Sequence, residues 1–96
     1  MVRHVVMFSL ADAPEKPAVM QQFKEAIEAL PQSIGWIRRI SVDFNVNPDE
    51  EYDLVLVGDF DTLDDVRRYA VHPQHLAAGK LLAPLKKARA CVDYEL

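Results

Sequence analysis

The run Leu54-Val55-Leu56-Val57 is apolar at every position, so a strand built on it turns hydrophobic side chains to both faces of its sheet. Such a strand needs cover on two sides. In 96 residues there is room for one domain, and the helices of so short a chain can shield one face only. The opening stretch from Val2 to Leu10 repeats the problem. Val2, His4, Val6 and Phe8 alternate with Arg3, Val5, Met7 and Ser9, and both sets carry apolar side chains. An apolar sheet face of that extent fits an interface better than bare surface, so the pattern predicts a two-fold homodimer joined through the sheet face.

The remaining segments can be placed around these two strands. After a loop from Ala11 to Lys16, Pro17 is suited to open a helix running to about Leu30, with Val19, Met20, Phe23, Ala26, Ile27 and Leu30 as its apolar stripe. Pro31 reads as its end. Trp36 to Phe44 alternates as a second strand, Asn45 to Glu51 with Asn47-Pro48-Asp49 reads as a turn, and Tyr52 to Phe60 makes the third strand. Thr62 and Asp65 mark a helix start, Pro73 interrupts that helix, Pro84 reads as a kink or restart, and Ala90 to Tyr94 closes the chain as a fourth strand. Strand, helix, two strands, helices, strand is an α+β order. It predicts a single domain over residues 1–96, with a ferredoxin-like four-stranded antiparallel sheet and helices on one face.

Chemistry is best sought in Tyr69-Ala-Val-His72-Pro73-Gln-His75, which sets a phenol and two imidazoles across the break between two helices. Proline biases His72 away from helical dihedrals and suits the first helical position, so His72 is expected at the cap and His75 in the opening turn. Unpaired N–H groups and the helix dipole disfavour imidazolium there. His75 is then expected to be neutral, with a lowered pKa, and available as a base. The alternative is that Tyr69 is a core aromatic and the histidines form a polar junction. Val6, Phe8, Phe23, Ile27 and Leu56 are candidates to line a pocket beside His4 and His72, or else they are ordinary core.

Several functions are disfavoured. A net charge of −4 and a pI near 5.2 lack the concentrated basic face that nucleic acid requires. Arg38-Arg39, Arg67-Arg68 and Lys86-Lys87 are pairs rather than tracts and read as solvated edges, although an arginine at 38 or 39 can reach an acidic ligand or partner. No apolar run approaches the ~20 residues that span a bilayer, and no signal peptide precedes the first strand, so a cytoplasmic location is the default expectation. Cys91 is alone, which excludes an internal disulfide, and its neighbours suggest a buried strand thiol. A Cys/His nucleophile pairing or a metal held by His4, His72 and His75 is conceivable, but no carboxylate stands at a recognisable ligand spacing, and no metal is expected.

The opening Val2-Arg-His4-Val-Val-Met-Phe8, the strand from Tyr52-Asp-Leu-Val-Leu56 to Phe60, the Tyr69-to-His75 segment and the closing Val92-Asp-Tyr94 together resemble the stress-responsive dimeric A/B barrel family across essentially the whole chain. The resemblance implies a ferredoxin-like monomer and a homodimer whose two sheets form an α/β barrel. It extends to plant olivetolic acid cyclase, a polyketide cyclase without cofactor. The likeness to that enzyme implies His75 as general base for an intramolecular aldol condensation, Tyr69 as a substrate-holding hydrogen-bond donor and His4 as a further pocket histidine. The chain departs from the cyclase at Leu54, where the cyclase has a histidine, and at Lys86, where it has a pocket tryptophan. Two functional readings follow: a cofactor-independent cyclase or lyase-like enzyme, or a dimer that binds a small apolar or aromatic metabolite unchanged or serves a structural, stress-associated role.

Overall fold

The structure, a computed structural model, describes residues 1–96. Its elements are β1 (Val2–Leu10), α1 (Lys16–Glu28), a 3-10 turn (Leu30–Gln32), β2 (Ile37–Phe44), β3 (Leu54–Phe60), α2 (Leu63–Ala70), α3 (Pro73–Leu82) and β4 (Lys86–Glu95). The strands form one antiparallel sheet in the order β2-β3-β1-β4, which is the ferredoxin-like arrangement. No helix is long and apolar enough to cross a membrane.

Alternation along the central strands decides what goes inside. Val2, Val6, Leu54, Leu56 and Phe60 are buried, and Phe23, Ile27, Val66, Tyr69, Ala78 and Leu82 of the three helices pack on them. The other sheet face has no helix. The register aligns Val5 with Val57 and Val92, and Met7 with Val55 and Ala90, so these residues make a continuous apolar strip there. Met7 and Val92 of this strip are exposed.

Several element ends differ from the sequence reading, each for a local reason. Helix α1 stops at Glu28, and Pro31 lies inside the following 3-10 turn rather than ending the helix. Strand β3 begins at Leu54 because the two residues before it close a loop: Asn45 Nδ2 donates to the Tyr52 carbonyl at 2.7 Å, and the Asn45 amide donates to the Asp53 carbonyl. Pro84 follows the end of α3 and kinks nothing. The Leu85 amide donates to the Leu82 carbonyl in a tight turn that leads directly into β4. Strand β4 is longer than expected. Its early residues, Lys86 to Arg89, pair with Phe8 to Leu10 of β1 across a register shift at Ser9 and Leu10.

Gly58 has a specific packing role. It faces His4 across the β1–β3 ladder, and a Cβ at this position would lie 2.9 Å from the Phe60 ring. The missing side chain lets Phe60 pack edge-on to His4, with ring centroids 6.3 Å apart.

Candidate functional site

The break at Pro73 is built from capping chemistry. Thr62 Oγ1 accepts from the Asp65 amide to start α2, and Asp64 and Asp65 occupy its positive first turn. At the other end, His72 caps α3 by accepting from the Gln74 amide through Nδ1, and Pro73 occupies the first helical position without an amide to satisfy. His75 therefore stands in the first turn of α3, facing the end of α2. Its Nδ1 donates to the Ala70 carbonyl at 3.0 Å. That carbonyl belongs to the last turn of α2, where backbone oxygens lose their intrahelical partners. A carbonyl only accepts, so the proton sits on Nδ1 and Nε2 carries the free lone pair.

The His75 pKa is lowered from its ordinary 6.5. Burial is the main cause, and the Arg89 guanidinium, His4 and His72 push the same way against the Ala70 hydrogen bond. The direction is the one expected from the helix terminus, but desolvation leads. Tyr69 lies beside it with ring centroids 4.3 Å apart. Tyr69 is completely buried, and its hydroxyl has no hydrogen-bond partner. Burial raises its pKa, so the phenol keeps its proton and remains a donor.

His4 approaches from the sheet, edge-on to Tyr69 at 6.0 Å. Its Nδ1 lies 2.5 Å from Asp93 Oδ1, the residue directly opposite on β4. A carboxylate accepts, so this pair places a proton on Nδ1 and turns Nε2 towards the space beside Tyr69. Two imidazoles thus border one space, each oriented through Nδ1 by a protein oxygen.

That space is a cavity of about 170 Å³ between the α2–α3 junction and the sheet. Of the residues proposed from sequence, His4, Val6, Phe8, Phe23, Leu56, Tyr69 and His75 line it. Ile27 and His72 are not among its walls. Ile27, one helical turn after Phe23, is wholly enclosed in the core. The His72 side chain is spent on its cap and lies edge-on to Trp36 at 6.0 Å. Arg68 in turn covers the Trp36 ring at 3.9 Å, so the junction around His72 is a packed structural cluster.

Of the β4 wall, the family resemblance marked only Lys86, at the position of the cyclase's pocket tryptophan, and Arg89 was missed. Lys86 and Arg89 line the cavity, as do Ala70, Gly79 and Leu82. The available signal was Arg89 two residues before Cys91 in the alternation of β4. Cys91 itself lies 3.6 Å from His4 Nδ1, and burial raises the pKa of its thiol, which argues against a thiolate nucleophile. The three-histidine metal set does not assemble, since His72 is held at its cap. His4, Cys91 and Asp93 do bring donor atoms within 4.8 Å of one another. Holding an ion there would require breaking the His4–Asp93 hydrogen bond and ionising the thiol.

The model of the stress-responsive A/B barrel domain matches residues 2–96. A dimeric protein of unknown function with a ferredoxin-like fold from Bacteroides fragilis is 56% identical, with a TM-score of 0.96 over 99% of this chain and 95% of that one. A dimeric ferredoxin-like protein of unknown function from Thermobifida fusca is 29% identical, with a TM-score of 0.85 over 99% and 90% of the two chains. Hydroxynitrile lyase from Passiflora edulis shares the fold at 14% identity, with a TM-score of 0.79 over 97% and 90%. No curated protein matches the sequence.

Proposed function

This chain belongs to the stress-responsive A/B barrel domain family, and from that premise we propose that it is a homodimer whose cavity performs general-base chemistry on a small apolar or aromatic metabolite, in the manner of a cofactor-independent cyclase or lyase. One observation carries the proposal. An oriented imidazole with a free Nε2 lies against a buried phenol whose O–H lacks a partner, at the wall of a largely apolar cavity. A structural dimer gains nothing from leaving that hydroxyl unpaired, whereas a ligand oxygen would satisfy it.

In the proposed reaction His75 Nε2 removes a proton from carbon next to a carbonyl, and the enolate oxygen accepts a hydrogen bond from Tyr69. The enolate carbon attacks a second carbonyl of the same molecule, forming one C–C bond. The resulting alkoxide takes back the proton from the His75 imidazolium. His4, held by Asp93, supplies a second hydrogen-bonding group for a substrate oxygen. The scheme balances without a cofactor. General-base catalysis contributes about 10²–10⁴ in rate, so the walls Val6, Phe8, Phe23 and Leu56 must supply the rest by folding the substrate onto itself. At about 170 Å³ the cavity is smaller than the ~300–1,000 Å³ of pockets for drug-sized ligands, which favours a compact substrate.

The homodimer is supported by the uncovered strip around Val5, Met7, Val55, Val57 and Val92, and by the relatives described as dimeric. Packing two such strips together would close the barrel. The test is native mass spectrometry of the purified protein, followed by denaturation to release and weigh any bound molecule and by assay of that compound class for turnover. A dimer that turns the compound over, with turnover lost in His75→Ala, is the expected result. A ligand retained unchanged by wild type and lost in Tyr69→Phe would make the protein a binding module instead. A monomer would remove the barrel.

A further inference from the structure

The reading of the cavity as a small-molecule site leaves its polarity undefined, and the β4 wall supplies it. We infer that the ligand is an organic anion, with a carboxylate held between Lys86 and Arg89 and an apolar or aromatic body lying against Val6, Phe8, Phe23 and Leu56.

Three observations carry this. First, the cavity wall contains two cations and no Asp or Glu, in a chain whose acidic residues outnumber its Lys and Arg by 15 to 11. The nearby carboxylate, Asp93, is bound to the imidazole of His4. Second, Lys86 and Arg89 form no ion pair within the chain. Arg3, Lys16, Lys24, Arg38, Arg67 and Arg68 each meet a carboxylate. The cations at the cavity are therefore left free where most others are neutralised. Third, Arg89 pairs with Phe8 across the β1–β4 ladder, which sets the guanidinium beside the apolar wall. Its charge is felt at both Tyr69 and His75, where it favours the phenolate and the neutral imidazole respectively.

The arrangement has a functional logic. An anion bound at Lys86 and Arg89 would anchor one end of the substrate on the sheet side, leaving its reactive carbon to reach His75 on the helix side. The same cations would stabilise negative charge spreading through the substrate as the proton leaves. A guanidinium and an ammonium together suit a carboxylate better than a neutral carbonyl, because the carboxylate adds an opposite charge and a second accepting oxygen to the charged donors.

The inference rests on the small-molecule reading of the cavity, and the experiment separates the two. Isothermal titration calorimetry of the full chain with 3-phenylpropionate, 3-phenylpropionamide and 3-phenylpropylamine compares an anion, a neutral isostere and a cation of matched body. The carboxylate is expected to bind about tenfold more tightly than the amide, the amine most weakly, and the preference to shrink in about 0.5 M salt. A Lys86→Met, Arg89→Met variant should bind amide and carboxylate equally. Retained amide binding shows that the variant is folded with its cavity intact. Equal binding of acid and amide by wild type, or an undiminished acid preference in the double variant, overturns the anion site and leaves the cavity reading standing. Failure of all three probes to bind overturns the cavity reading, and the inference with it.

Discussion

Replacing Tyr69 by phenylalanine should make the empty protein more stable while destroying its use of the cavity. The tyrosine is 0% exposed, and its hydroxyl finds no donor or acceptor. A buried polar group left unsatisfied costs about 1–3 kcal/mol relative to its hydrated state. Phenylalanine keeps the ring and its contacts with His75 at 4.3 Å and Phe60 at 5.1 Å. Only an oxygen-sized gap is left to set against the gain. The net stabilisation should be about 1–2 kcal/mol per protomer, or about 4–8 °C in melting temperature for each kcal/mol in a domain of this size, and no less if the dimer melts as one unit, because the dimer carries the substitution twice. Scanning calorimetry of the two ligand-free proteins at equal concentration reads the shift, since dimer melting depends on concentration. The variant should also lose ligand-induced stabilisation. If Tyr69→Phe melts at or below the wild-type temperature, the hydroxyl is satisfied in solution and the argument from an orphaned donor fails.

Four further outcomes follow from the same geometry. Turnover by a His75 base should rise with pH through a midpoint below 6.5 and then level off, because the neutral imidazole is the active form and its pKa is lowered; imidazole NMR of the wild type should show the same midpoint. His75 also stabilises the fold in one direction: with the folded pKa below the unfolded value, its contribution is complete above pH 6.5 and is lost as pH falls through the folded pKa, which denaturant titrations on either side of that range would detect. Gly58→Ala places a Cβ 2.9 Å from the Phe60 ring and should cost about 1–3 kcal/mol, read as a lower melting temperature; an unchanged melt would show that Phe60 moves aside freely. Val57→Lys puts a charge at the centre of the uncovered sheet face and should convert a dimer to a folded monomer in sedimentation, whereas a persistent dimer would place the interface elsewhere.

What was legible in the sequence was local chemistry or regular period. The α2–α3 junction could be read because Thr62, His72 and Pro73 act on amides within three residues of themselves. The faces of β1 and β3 could be read because alternation is their own property. The β4 wall could not be read from period, and only the resemblance pointed to Lys86. Lys86 and Arg89 sit in a stretch with no apolar period, and it becomes strand only because β1 offers an edge to pair with. Asp93 is 89 positions from His4, and nothing near either residue signals the hydrogen bond between them. Phe23 and Ile27 share one helical stripe, so choosing between cavity wall and closed core required knowing how α1 sits on the sheet. His72 was drawn into the candidate site by its neighbour in the motif, although a capping histidine has already committed its ring nitrogen.

The proline break joins these features into one device. An unbroken helix from Leu63 to Leu82 would pair the Ala70 carbonyl with an amide four residues on and leave no acceptor for His75. Stopping α2 at Ala70 exposes that carbonyl, and restarting at Pro73 brings the His75 ring back across the gap to accept its restraint. The same interruption opens space between the helices and the sheet, where Ala70 and Gly79 contribute little bulk to the cavity wall. Tautomer, position and room for a ligand therefore have one structural origin. Moving the break by a single residue would rotate His75 by about 100° around the helix and separate all three at once.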